Sequence, residues 1–73
     1  MTVKAFLDRF HWTTSIERVF CVNEKTYELE EISLTAVLNL WNTCLSVNHP
    51  LADKEVAFFG VEDKTLFVYY YAE

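Results

Sequence analysis

A chain of 73 residues, 52% hydrophobic and 16% aromatic with one Gly and one Pro, has room for one small domain and is too apolar to be disordered. Its formal net charge of −5 comes from 11 acids against 6 bases, which are Lys4, Arg9, Arg18, Lys25, Lys54 and Lys64. Those bases are scattered singly, which argues against direct nucleic-acid binding, since affinity for a polyanion rests on clustered Lys and Arg.

The first element is a short helix. Thr2 can cap it, and Val3, Phe6, Leu7 and Phe10 recur at i, i+3, i+4 and i+7, with Lys4, Asp8 and Arg9 opposite. His11-Trp12-Thr13-Thr14 ends it. A strand follows from Ser15 to Val22, with apolar residues on both faces around Val19–Val22, as a central strand or a bulge would require. Asn23-Glu24-Lys25 supplies a turn, and Thr26 to Leu29 returns with Tyr27 and Leu29 on one face and Glu28 and Glu30 on the other.

A second helix is expected from an N-cap at Ser33. Leu34, Val37, Leu38, Trp41, Cys44 and Leu45 form its apolar stripe, with Asn39, Asn42 and Thr43 opposite. Pro50 ends it by moving His49 out of helical geometry. Leu51 to Lys54 reads as a polar connection, Glu55 to Val61 as a strand, Glu62-Asp63-Lys64 as its turn and Thr65 to Ala72 as the return. Gly60 marks a bulge or a close approach.

The order α-β-β-α-β-β predicts an α+β domain of two layers: one antiparallel sheet of about four strands with both helices on one face. Residues 1–73 form a single domain. Two cysteines fall short of the bridge framework of a small secreted domain, and Met1 leads into a charged amphipathic segment rather than a signal peptide. No apolar run approaches the ~20 residues of a membrane span, so the expected location is the cytoplasm, with no membrane partner.

Chemistry-bearing patterns are sparse. Cys21, Cys44, His11 and His49 form no CxxC or HxxxH pair, so no metal is expected and both cysteines read as buried hydrophobes. No GxSxG and no glycine-rich loop appears, and a non-enzymatic protein without a cofactor is expected. Glu28, Glu30 and Glu31, and separately Glu62 and Asp63, could occupy a basic surface of a protein partner; more plainly they are solvated faces. The run Phe67-Val68-Tyr69-Tyr70-Tyr71 makes the last strand apolar on both faces. A two-layer domain covers one face only, so a homo-oligomer is expected with Phe67, Tyr69 and Tyr71 at its interface.

The opening Thr2-Val3-Lys4-Ala5-Phe6-Leu7 and the closing segment from Glu55 to Val68 resemble small accessory proteins of phages and conjugative elements of Firmicutes. The resemblance covers about a third of the chain and implies a cytoplasmic protein of a bacterium or its phage. Some small acidic phage proteins inhibit host defence, including CRISPR–Cas complexes and cyclic-nucleotide signalling. The resemblance contains no catalytic motif and assigns no functional residue. It leads to an interaction protein of a mobile element, an inhibitor of a host defence complex. The alternatives are a cyclic-nucleotide sponge built from aromatic residues, with Arg9 and Arg18 as its cations, and a purely structural dimerising module.

Overall fold

The computed structural model describes residues 1–9, 16–32, 34–37, 40–43 and 48–72, and of 34–37 and 40–43 the backbone. In chain order these form α1 (Val3–Arg9), β1 (Arg18–Asn23), β2 (Leu29–Ile32), β3 (Leu34–Val37), β4 (Leu40–Thr43), β5 (Val56–Glu62) and β6 (Thr65–Tyr70). Four strands make one sheet in the order β2-β1-β6-β5, and β3 and β4 pair as a separate two-stranded sheet.

Helix α1 begins where the sequence places it. The Thr2 hydroxyl accepts a hydrogen bond from the Ala5 amide at 3.2 Å, satisfying one of the unpaired donors of the first turn. Two more first-turn amides, of Val3 and Lys4, donate to the carbonyls of Lys54 and Ala52. Seven residues cannot hold a helix alone, so packing decides: Val3 and Leu7 are buried one turn apart. The segment behind those carbonyls is therefore no polar connection. Leu51 and Ala52 belong to the core, and their backbone docks the helix.

Strand β1 is central, as its doubly apolar pattern requires. It pairs antiparallel with β2, opposing Val19 to Ile32 and Cys21 to Glu30. Its other neighbour is β6, and here the pairing is parallel, Val19 beside Leu66 and Cys21 beside Val68. The expected all-antiparallel sheet is thus a mixed one. Parallel partners lie far apart in sequence and share no turn, so no local signal announces them. At the first hairpin Tyr27 adopts φ 61° within the turn, and the return strand starts at Leu29 rather than Thr26.

The expected second helix is replaced by β3 and β4, so among the described residues one helix, α1, packs against the sheet. They pair antiparallel from Leu34↔Thr43 to Val37↔Leu40, with residues 38 and 39 between. The stretch from Ile32 to Ala52 contains no Asp, Glu, Lys or Arg, which removes the i,i+4 ion pairs a helix would use. Thr35, Val37, Trp41, Asn42 and Thr43 are also weak helix formers, and β-branched and aromatic residues favour a strand. Ser33, Leu38, Cys44 and Leu45 of the expected stripe lie outside the described residues, as do His11 and Trp12.

The final hairpin forms as expected, with one correction. Its bulge lies between Val56 and Phe58, not at Gly60. A Cβ placed on Gly60 would meet nothing within 4 Å, and its φ is not positive. The turn is built from Asp63 (φ 49°) and Lys64 (φ 64°), both left-handed as a two-residue hairpin turn of the primed type demands. Lys64 has a Cβ to accommodate there, and its carbonyl accepts hydrogen bonds from Glu17 and Arg18, locking the turn onto the start of β1. Replacing Asp63-Lys64 by Asn-Gly keeps that carbonyl and relieves the left-handed strain. Stability should rise by about 0.5–1 kcal/mol in denaturant melts. A loss of that size would show that the turn is held by its side chains.

Candidate functional site

Side chains alternate across a strand, so the pairing register assigns each residue of the sheet to a face. The inner face carries Val19, Cys21, Ile32, Leu66, Val68 and Tyr70, which pack with Val3 and Leu7 of α1 and with Ile16, Leu51 and Ala52. The outer face carries Arg18, Phe20 and Val22 from β1, Leu29 and Glu31 from β2, Thr65, Phe67 and Tyr69 from β6, and Phe58, Gly60 and Glu62 from β5.

That outer face is aromatic and ordered. Phe20 and Phe67 stack across β1 and β6, centroids 5.8 Å apart and planes 16° apart. Phe58 and Tyr69 stack across β5 and β6 at 4.3 Å and 18°. Leu29, Val22, Tyr69 and Phe58 form one row across all four strands; Glu31, Phe20, Phe67 and Gly60 form the next. Val22, in the first row, is 2% exposed yet lies outside the core cluster. The row's two ends stay open to water, Leu29 at 60% and Phe58 at 56%. Tyr71 lies beyond β6, exposed, its amide held by the Glu55 carbonyl. Phe67 and Tyr69 are thus brought together, and Tyr71 is not part of their stack.

The face is nearly neutral. Arg18 lies 4.8 Å over the Phe20 ring, a cation–π placement, and its Nε and Nη2 donate to the Glu31 carboxylate at 3.0 and 3.3 Å. That hydrogen bond, with the attraction between the charges, raises the Arg18 pKa; the same bond lowers that of Glu31. The pair neutralises itself and leaves Glu62 as the face's uncompensated charge.

The acids expected to act together are dispersed. Glu31 points to the outer face, and Glu30, its neighbour, to the inner side, where its Oε2 lies 2.7 Å from His49 Nε2. Glu28 lies beside Asn23 at one end of the sheet, while Glu62 and Asp63 form the turn at the other. All five remain exposed.

Glu30 is the strand partner of Cys21 and faces His49 on the inner side, the start of a nucleophile–base arrangement. The geometry denies it. His49 Nδ1 accepts a hydrogen bond from the Leu51 amide at 3.0 Å, which puts the proton on Nε2, facing Glu30. Neither nitrogen is left to take a proton from Cys21. The thiol is fully buried, and burial, helped by Glu30, pushes it up to about 12. A thiol in that state is inert packing. Among the described residues no three His, Cys, Asp or Glu converge on a metal-sized site, and no helix is long and apolar enough to cross a membrane. An open depression of about 460 Å³ beside the first turn is lined by Glu24, Lys25, Tyr71 and Ala72.

Comparison with protein-family models, with curated proteins and with solved structures finds no match for this chain.

Cys21 gives a direct test of the packing. Its pKa is raised in the folded state, and so is that of Tyr70, again chiefly by burial. The folded chain therefore holds protons that the unfolded chain releases above its ordinary thiol pKa. Stability should be full below about pH 8.5 and fall above it, by up to about 1.4 kcal/mol per pH unit for the thiol. Replacing Cys21 by Ala should flatten that slope in melts recorded from neutral to alkaline pH. An unchanged slope would mean the thiol is solvated.

Proposed function

We propose that this chain is a non-enzymatic protein-interaction module that binds through the outer face of its sheet. The observation that carries the reading is the double stack of Phe20 on Phe67 and Phe58 on Tyr69, on the face opposite α1, with Leu29 and Phe58 open at its ends. Aromatic residues are the enriched component of protein interfaces, because a rigid ring covers a large area at small entropic cost. An ordered apolar patch of this extent on so small a domain is a place where water is meant to be displaced.

The resemblance to accessory proteins of phages and conjugative elements supports a finer reading, in which the bound protein belongs to a bacterial defence complex and the chain inhibits it. The electrostatic route through Glu28, Glu30 and Glu31, or through Glu62 and Asp63, has less support than the aromatic face. Glu30 and Glu31 point to opposite sides, each already facing a partner group, and the two acidic clusters lie at opposite ends of the sheet. A cyclic-nucleotide sponge needs an arginine available for phosphate beside the rings. Arg18 is the cation on this face, and Glu31 holds its guanidinium through two nitrogens.

Substitution separates the routes. Arginine at both Leu29 and Phe58 should leave the fold intact, with Leu29 costing under about 0.5 kcal/mol and loss of the Phe58–Tyr69 stack about 0.5–1.5 kcal/mol. Capture of whatever protein the wild type retains from a bacterial lysate should be lost. Lysine at both Glu30 and Glu31 should leave capture within a few-fold. The opposite pattern, capture lost with the acids and retained without the apolar ends, would refute the face as the binding surface.

A further inference from the structure

We infer that the outer face is a homodimer surface, on which a second copy of this chain packs its own outer face about a two-fold axis, sheet against sheet. The inference rests on the reading of that face as a binding surface and names its occupant.

Charge argues for a second copy. Each chain has a net charge of −5, so two copies repel over most of their surface. The outer face carries Arg18, Glu31 and Glu62, one positive charge against two negative, and Arg18 and Glu31 neutralise each other. It contributes −1 of the −5 and is the large surface that two copies can bring together with little repulsion. A strongly basic partner would find nothing here to match.

Gly60 argues for close approach. Within one chain this glycine has no conformational reason: its φ is not positive, and open space lies where a Cβ would be. A glycine inside a strand weakens it, and it is found where a bulge, a bend or another backbone requires it. The bulge of β5 lies elsewhere, between Val56 and Phe58. Gly60 instead leaves a slot floored by backbone, between Phe58 and Glu62 on its own strand and beside Phe67 across the pair. An aromatic ring of the second copy fits that slot, and any side chain at position 60 would obstruct it.

Area limits the contact to a weak one. Four strands about 4.8 Å apart and about six residues long, at about 3.3 Å each, give a footprint near 20 × 20 Å. Two such faces total about 800 Å², the size of weak, transient contacts, so the monomer–dimer equilibrium is sought from micromolar to hundreds of micromolar. A two-fold axis makes the contact isologous and closed, which stops the exposed face from seeding open-ended assembly.

Sedimentation equilibrium on the full chain across that range tests the inference. The wild type should pass from one to two chains in mass as concentration rises. Gly60→Arg should weaken association at least ten-fold, with an unaltered circular dichroism spectrum, because the monomer has room for the side chain. Leu29→Arg, at the other end of the face, should do the same. Val61→Arg lies on the opposite face of β5 and should leave the dimer intact. A dimer that survives Gly60→Arg, or one that Val61→Arg abolishes, overturns the inference. A wild type that stays monomeric at hundreds of micromolar overturns it too. In that last case the reading of the face as a module for other proteins still stands or falls separately, on whether Leu29 and Phe58 are needed for capture.

Discussion

The parallel pairing of β1 with β6 places Val19 beside Leu66 and Cys21 beside Val68, four side chains fully removed from water. Each contributes something near 1.5–3 kcal/mol by leaving water, a large share of the margin that holds a domain of this size together. The same register assigns every other side chain of the two central strands. A slip of one residue would turn Phe20 and Phe67 inward and expose the core row. One pairing therefore fixes both the face that α1 covers and the face left aromatic.

Helix α1 depends on that arrangement rather than causing it. Its seven residues gain their place from Val3 and Leu7 against the inner face and from the carbonyls of Ala52 and Lys54. The amide of Val56 in turn donates to the Met1 carbonyl, so the beginning of the chain also steadies the start of β5. Among the described residues the helix lies on one side of the sheet, the side of Val3 and Leu7. On the other face Phe20 stacks on Phe67 and Phe58 on Tyr69, with Val22 in the same row almost fully withdrawn from water.

Local signals in the sequence carry several of the elements. The Thr2 cap, the Val3 and Leu7 spacing, the doubly apolar β1 and the Asp63-Lys64 turn all rest on neighbours within a few residues. The parallel pairing rests on contacts between distant segments, and nothing in either segment names its partner. The stretch from Leu34 to Thr43 misleads for another reason. Leucines and a tryptophan spaced for a helix are equally dense on a strand period, and what decides is the absence of charge together with Thr, Val and Asn. At the candidate site, the alternation of Phe67 and Tyr69 against Leu66 and Val68 already announced two apolar faces. Phe20, Phe58 and Arg18 were missed as members of the outer face because membership depends on register. Gly60 was legible as unusual, a bulge or a close approach, and the bulge of β5 lies instead between Val56 and Phe58.

The central claim is that the outer rings are covered when the protein acts and open when it is alone. Hydroxyl-radical footprinting read by mass spectrometry, repeated across a dilution series, measures that coverage ring by ring. Phe20, Phe58, Phe67 and Tyr69 should become protected together as concentration rises through the micromolar range, while Tyr27 and Tyr71, exposed and outside the stacks, keep a constant rate. Protection of Tyr27 and Tyr71 with the four rings unchanged would contradict the account.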